Sequence, residues 1–220
     1  MTASYWLLDI RRIALADMRA LLNAEEQARA DRYKQAGDVA RFVAGRGALR
    51  RILGKHAGQD ARALVFAEGK GRKPALRDYP AVQFNLSHSG DFVLIAVGGA
   101  PLGVDIEAIR DLDWRALAAT NFHPDEIAAM EAQRDPRAAF FQIWAHKEAY
   151  LKATGIGLTD HLTSISVPLE GGAISAPASL APETWHATSL DAPADYRASL
   201  VGGRAHATLY DLSASFVDPG

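Results

Sequence analysis

The sequence predicts an α/β fold, of the α+β kind, in two similar halves that meet near residue 100. Three observations predict it. Apolar runs of strand length alternate with longer tracts of helical period. The stretch DFVLIAVGG from Asp91 recurs as DYRASLVGG from Asp195, with the Asp, the Val and both Gly shared and an aromatic second. The chain has 220 residues, 49% apolar and 23% charged, which suits one large or two small globular domains. We therefore expect an N-terminal half over 1–100 and a C-terminal half over 101–220, with the binding site in the cleft between them.

Tyr5 to Ile10 reads as an opening strand, and Leu15 to Leu22 as a turn or two of amphipathic helix. A basic helical tract follows, AEEQARADRYKQAGDVARFVAGRGALRRILGKHAG. Phe42, Val43, Leu49, Ile52 and Leu53 supply its buried side, with Arg29, Arg32, Arg41, Arg46, Arg50 and Arg51 around them. Taken singly, most of these arginines read as a solvated face. Between Gln27 and Arg77, however, 13 Lys or Arg stand against 4 Asp or Glu, more than half of the 24 basic residues of the chain. The cluster as a whole points to an anionic partner, a phosphorylated small molecule or nucleic acid. The tract has neither aromatic interleaving nor a recognisable reading module, which argues against nucleic acid.

Leu64 to Ala67 reads as a strand. The loop EGKGRKPAL then carries Lys70, Arg72 and Lys73. Its composition suits a phosphate cradle of backbone N–H groups and an ammonium, and equally a plain hairpin turn. Val82 to Leu86 is a strand of alternating character. Ser87, His88 and Ser89 with Gly90 read as a polar turn, and Phe92 to Val97 as a strand buried on both faces. After Gly98 and Gly99 the chain returns as a strand from Leu102 to Ile106. Leu102, Val104 and Ile106 point one way; Gly103, Asp105 and Glu107 point the other. Two carboxylates at i and i+2 lie roughly 6.5–7 Å apart at their Cα atoms, within reach of one hard cation such as Mg²⁺. The same alternation also suits a polar face meeting solvent.

DLDWRA reads as a linker. In NFHPDEIAAM, Pro124 fits the first position of a helix, with Asp125 and Glu126 in the turn where the dipole favours acids. From Phe140 to Leu158 the chain reads as a helix with Phe141, Trp144 and Leu151 on one stripe. Glu148 falls on that stripe, where a carboxylate is costly to bury unless a cation or donors meet it. Lys152 supplies such a cation, or forms an ordinary i, i+4 pair, and Gly155 ends the helix. Thr163 to Val167 reads as a strand, and Trp185 to Leu190, Tyr196 to Val201 and Ala205 to Leu209 as strands of a meander. The chain has no cysteine, which excludes disulfides, thiolate metal sites and a Cys nucleophile. The stretch MTASYWLLDIRR lacks the basic and apolar regions of a signal peptide, and no apolar run has membrane-spanning length. The expectation is a cytoplasmic protein with no membrane contact.

FNLSHSG, GVDIE and WAHKEAYLKATGIGL, in this order and spacing, resemble the 4′-phosphopantetheinyl transferases of the larger, pseudo-dimeric, surfactin-synthetase-activating type. The resemblance spans nearly the whole chain. It implies two α/β halves related by a pseudo-two-fold, and transfer of the phosphopantetheine arm of coenzyme A to a serine of an acyl or peptidyl carrier protein, releasing 3′,5′-ADP. It further implies that Asp105, Glu107 and Glu148 hold Mg²⁺, with Glu148 as base toward the serine hydroxyl. Lys152 would stabilise charge on the pyrophosphate. Ser87, His88 and Lys73 would meet coenzyme A phosphates, Arg41 the 3′-phosphate, and Arg29 and Arg32 lie where the family carries basic residues. The chain departs from the family at Ala145 and His146, after the tryptophan, and at His123, before the helix of Glu126. A monomer is expected, since two halves in one chain supply what a smaller relative builds from two subunits. The rival readings are a non-catalytic coenzyme A or carrier-protein binding protein, a nucleic-acid module, and an acyl transferase acting at the thioester without metal.

Overall fold

A computed structural model describes residues 2–69, 73–157, 162–180 and 183–203, and residues 206–209 as backbone alone. Lys70, Arg72, Leu158 and Ala205, part of the expectations above, lie outside the described residues. The fold is mixed α/β; the described residues form strands β1 (Thr2–Asp9), β2 (Phe66–Glu68), β3 (Pro74–Leu76), β4 (Gln83–Ser89), β5 (Phe92–Gly98), β6 (Leu102–Ala108), β7 (Gly172–Ala173), β8 (His186–Leu190), β9 (Tyr196–Gly202) and β10 (His206–Leu209). The α-helices among them are α1 (Leu15–Ala20), α2 (Ala24–Asp31), α3 (Ala36–Ala57), α4 (Trp114–Asn121), α5 (Pro124–Glu131) and α6 (Pro136–Thr154).

Two four-stranded sheets form, in the orders β10-β1-β5-β4 and β6-β9-β8-β7. The connectivity recurs. In each sheet one strand (β1 or β6) pairs antiparallel with a later one (β5 or β9), and that later one with the strand just before it. A long helix, α3 or α6, lies between the first strand and that closing hairpin. The two echoing sequences are thus the closing strands β5 and β9.

Alternation along the strands builds the layers. Val93, Ile95 and Val97 face the cluster that contains Val43, Leu49 and Ile52 of α3. Leu94 and Ala96, on the opposite face of β5, pack with Leu102, Val104 and Ile106 of β6 and Ala198 and Leu200 of β9. The far face of the second sheet meets α6 through Val201, Ala187, Ile143 and Tyr150. The order is helix, sheet, sheet, helix, and β5 is buried on both faces as its unbroken apolar run predicts.

Several elements differ from the sequence reading. The basic tract is two helices, because Asn23 caps α2 in a box with Glu26 and the chain breaks before α3. DLDWRA is no linker: Asp113 accepts the N–H of Ala116 and starts α4. Residues 163–167 form a 3₁₀ turn at Leu162–Ser164 and a single bridge from Ser166 to Ser175 in place of a strand. The last strand leaves the meander altogether and pairs parallel with β1. Finally, Ser87, His88 and Ser89 are the end of β4, and the turn is Gly90–Asp91. Gly90 takes φ +53°, and a Cβ there would sit 2.3 Å from the Tyr196 hydroxyl, so both backbone and space favour glycine.

Candidate active site

The edge strands β4 and β6 run side by side, and side chains join them. Asn85, Ser87 and Ser89 alternate onto one face of β4 and are all buried. Asn85 Oδ1 accepts the N–H of Val104 at 2.8 Å and Ser89 Oγ that of Ala108 at 3.0 Å, while Ser87 Oγ donates to Asp105 Oδ1 at 2.8 Å. This polar row explains why the strand continues through FNLSHS. Its side chains meet two backbone N–H groups and one carboxylate oxygen of β6.

Above β6 lies α6. A Cβ on Gly103 would come within 2.1 Å of Ala149 O and 2.5 Å of Ala153 N. Only glycine lets helix and strand approach this closely, and any side chain there pushes α6 away. That approach brings Lys152 onto the carboxylates, with Nζ 2.6 Å from Asp105 Oδ1 and 2.9 Å from Ser87 Oγ. Asp105 is 3% exposed, and its Oδ2 is buried with no hydrogen-bond partner among the described residues. Burial pushes the Asp105 carboxyl up against the opposing pull of Lys152. Burial and then the Asp105 charge push Glu107 up to about 7 and raise Glu148 as well. The Asp105 charge thus reaches both Glu107 and Glu148, while Lys152 and, at Glu107, Arg110 pull the other way. Among the described residues no acidic or His side chains close into a formed metal cluster. The donor type is nonetheless the one a hard divalent cation takes, since all three side chains are carboxylates and one Asp105 oxygen is a buried orphan.

Beside this seam is a cavity of about 330 Å³. Arg29, Arg41, Arg46 and His88 bring nitrogen to its wall, and Tyr33, Phe42 and Phe84 bring aromatic surface. Arg29 lies over the Phe42 ring, 5.1 Å from its centroid, and Arg41 donates to Asp38 Oδ1 at 2.5 Å. Partial burial, then Arg41, holds the His88 imidazole below its ordinary value. Arg32, exposed at the end of α2, is not among the lining residues. Lys73 belongs instead to a second cavity of about 460 Å³ that it lines with Phe84, Pro101, Ile156 and Trp185. Its Nζ donates to Leu102 O at 2.5 Å, and burial holds it down at about 8. Two arginines of the basic tract, Arg46 and Arg50, ion-pair with the buried Glu26, and Arg46 also stacks 3.8 Å above Phe66. Their partner lies 20 and 24 residues upstream, which no local spacing reveals.

The helix α6 is buried nearly all round, beyond the single predicted stripe. Lys147, beside Glu148, is 2% exposed. Its Nζ donates to Leu162 O (2.8 Å) and Ile165 O (2.6 Å) and lies 2.9 Å from Glu126 Oε2. Glu126 in turn accepts the N–H groups of His123 and Val167. The signal for this pair was a lysine amid apolar neighbours. The departures from the family pattern have local roles. His123 is the N-cap of α5, accepting the N–H of Asp125 through Nδ1, the work a hydroxyl or carboxamide usually does. His146 Nε2 lies 3.2 Å from both Leu169 O and the Gln142 amide nitrogen, and Nδ1 shares a hydrogen bond with the Ser199 hydroxyl at 2.6 Å.

Burial holds His146 down at about 4, against about 6.5 in an unfolded chain. Between these values the unfolded chain takes up a proton that the native protein refuses. Stability therefore falls as pH drops through that window. Thermal melts from pH 7 to pH 4 are expected to show this loss, and His146→Gln, which cannot charge, to reduce it. An identical pH slope in the variant refutes the assignment.

Family models match most of the chain. The 4′-phosphopantetheinyl transferase superfamily model matches residues 101–201, and the 4′-phosphopantetheinyl transferase N-terminal model matches residues 11–99. Among curated proteins, the 4′-phosphopantetheinyl transferase psf-1 of Bacillus pumilus is 36% identical over 158 residues, covering 70% of this chain and 67% of its own length. The transferase HetI of Nostoc sp. is 39% identical over 158 residues, 69% and 67% of the two chains. Sfp of Bacillus subtilis is 28% identical over 152 residues, 68% and 67%. Among the described residues no helix is long and apolar enough to cross a membrane.

Proposed function

The chain belongs to the 4′-phosphopantetheinyl transferase superfamily, and from that premise we propose that it moves the phosphopantetheine arm of coenzyme A onto a serine of an apo acyl or peptidyl carrier protein, releasing 3′,5′-ADP. The observation that carries this reading is the node of Lys152, Ser87 and the half-orphaned Asp105 on the seam, next to a cavity rich in guanidinium and aromatic surface.

Asp105, Glu107 and Glu148 would hold Mg²⁺. When bound there, the ion neutralises pyrophosphate charge and makes phosphorus a better electrophile. A serine hydroxyl is not acidic, so the attack needs a base; Glu148, whose pKa is raised by burial and by Asp105, is suited to accept that proton. The hydroxyl oxygen forms its bond to phosphorus as the bond to the 3′,5′-ADP oxygen breaks, and Lys152 donates toward the charge left on the departing phosphate. Arg41, with His88 and Arg29 along the same wall, binds the 3′-phosphate, and the neighbouring rings receive the base. Ser87 holds Lys152 and Asp105 in register. Lys73 reaches the ligand from the other cavity. The recurring connectivity of the two sheets supports the pseudo-two-fold relation between halves.

The test is the intact mass of apo carrier proteins incubated with this protein, coenzyme A and Mg²⁺, with and without EDTA. The expected outcome is a gain of one phosphopantetheine arm that EDTA prevents. No gain on any of several acyl and peptidyl carriers overturns the transferase reading in favour of a coenzyme A binding protein, and a gain indifferent to EDTA overturns the metal assignment.

A further inference from the structure

Asp38 is a carboxylate on the wall of the cavity that the proposed function fills with anionic phosphate. Electrostatics alone would exclude an acid from that wall, so its presence needs a reason. It sits in the first turn of α3, three residues before Arg41, and takes the Arg41 guanidinium at 2.5 Å. The guanidinium folds back over the helix start: a Cβ on Gly37 would meet Arg41 Nη1 at 3.4 Å and Nη2 at 3.5 Å. Its other terminal nitrogen, Nη1, reaches Gly90 O at the β4–β5 turn, 3.4 Å away. Arg41 is thus suspended between α3 and that turn, with Asp38 as its stronger tether. The His88 imidazole feels both charges of the pair, in opposite senses, which puts all three groups around one point of the wall.

We propose that Asp38 is a positioning residue that aims Arg41 and competes with the 3′-phosphate for it, so that the nucleotide product is held loosely enough to leave. This rests on the assignment of Arg41 to the 3′-phosphate. A guanidinium has five donors in a fixed fork, so Arg41 can turn free N–H groups to a phosphate while Asp38 keeps one. The negative charge then remains beside the bound anion and weakens it. Release of product limits many enzymes, and 3′,5′-ADP carries the same 3′-phosphate as coenzyme A, so whatever grips the substrate here also retains the product.

The experiment is calorimetry of 3′,5′-ADP and of 5′-AMP, which lacks the 3′-phosphate, on the full chain and on Asp38→Asn, with steady-state transfer measured in parallel. Asn keeps a carbonyl that can accept from Arg41 but removes the charge. The expected result is that Asp38→Asn binds 3′,5′-ADP about 1.5- to fivefold tighter, the range an exposed charge pair spans, with 5′-AMP unchanged and with kcat and KM for coenzyme A both lowered. A purely structural role for Asp38 would move both nucleotides together and leave no such split. If the unmodified protein prefers 3′,5′-ADP and Asp38→Asn binds it equally or more weakly, the role of Asp38 is overturned alone. If the unmodified protein binds both nucleotides equally, the assignment of Arg41 falls and this proposal with it.

Discussion

Glu148→Gln lowers the rate of phosphopantetheine transfer by about 10²- to 10⁴-fold, the range a positioned general base contributes, while binding of 3′,5′-ADP stays within about twofold of the unmodified protein. The two expectations separate because Glu148 feels the charge of Asp105 on the seam, whereas the groups assigned to the 3′-phosphate line the cavity of Arg41 and His88. The amide keeps the size of the side chain, so α6 stays seated on Gly103. It loses the ability to accept the serine proton and one of three carboxylates for the cation. Single-turnover mass spectrometry of the carrier protein and calorimetry of 3′,5′-ADP read the two expectations. Transfer within about tenfold of the unmodified rate would remove Glu148 from the base role.

Lys147→Met has the largest expected effect on stability, a loss of about 3–5 kcal/mol. The Glu126 carboxylate would be left 2% exposed without its cation, and the Leu162 and Ile165 carbonyls without their donor. Burial already pushes Glu126 up and Lys147 down, so each depends on the other to remain charged. The comparison that isolates this is the double variant Lys147→Met, Glu126→Gln. It leaves no buried charge, and one amide oxygen still accepts from His123 or Val167. Urea unfolding is expected to show the double variant more stable than Lys147→Met alone. If the two are equal, the cost lies in lost packing and the ion pair contributes nothing separable.

Features legible in the sequence were those whose cause is local. The alternation of Leu102, Val104 and Ile106 against Gly103, Asp105 and Glu107 fixes which face of β6 meets the other sheet and which meets α6. Pro124 and Gly155 mark a helix start and a helix end through their own backbone preferences. What was not legible depends on partners far along the chain. Ser87, His88 and Ser89 look like a turn because serine is a turn residue, yet β6 supplies groups that let Asn85, Ser87 and Ser89 be buried in a strand. Arg46 and Arg50 look like solvated charge until Glu26 is found beneath them. Lys147, an ammonium amid Trp144, Tyr150 and Leu151, is a stronger anomaly in the sequence than Glu148 beside it. At the candidate site, the strand and helix carboxylates could be read singly. That the gap at Gly103 brings them together could not, because a missing Cβ shows its meaning only against the backbone it admits.

The parallel pairing of β10 with β1 bears on how the protein is made. Synthesis is vectorial and domains generally fold as they emerge, yet the first sheet has one edge that stays open until residues 206–209 arrive. Through most of translation β1 presents unpaired N–H and C=O groups on that side, a template for any extended chain nearby. Closing that edge brings together segments some two hundred positions apart, the kind of contact that forms late because its loop entropy must be met first. The nascent chain thus passes through a long interval in which its α3-covered half is built but not sealed.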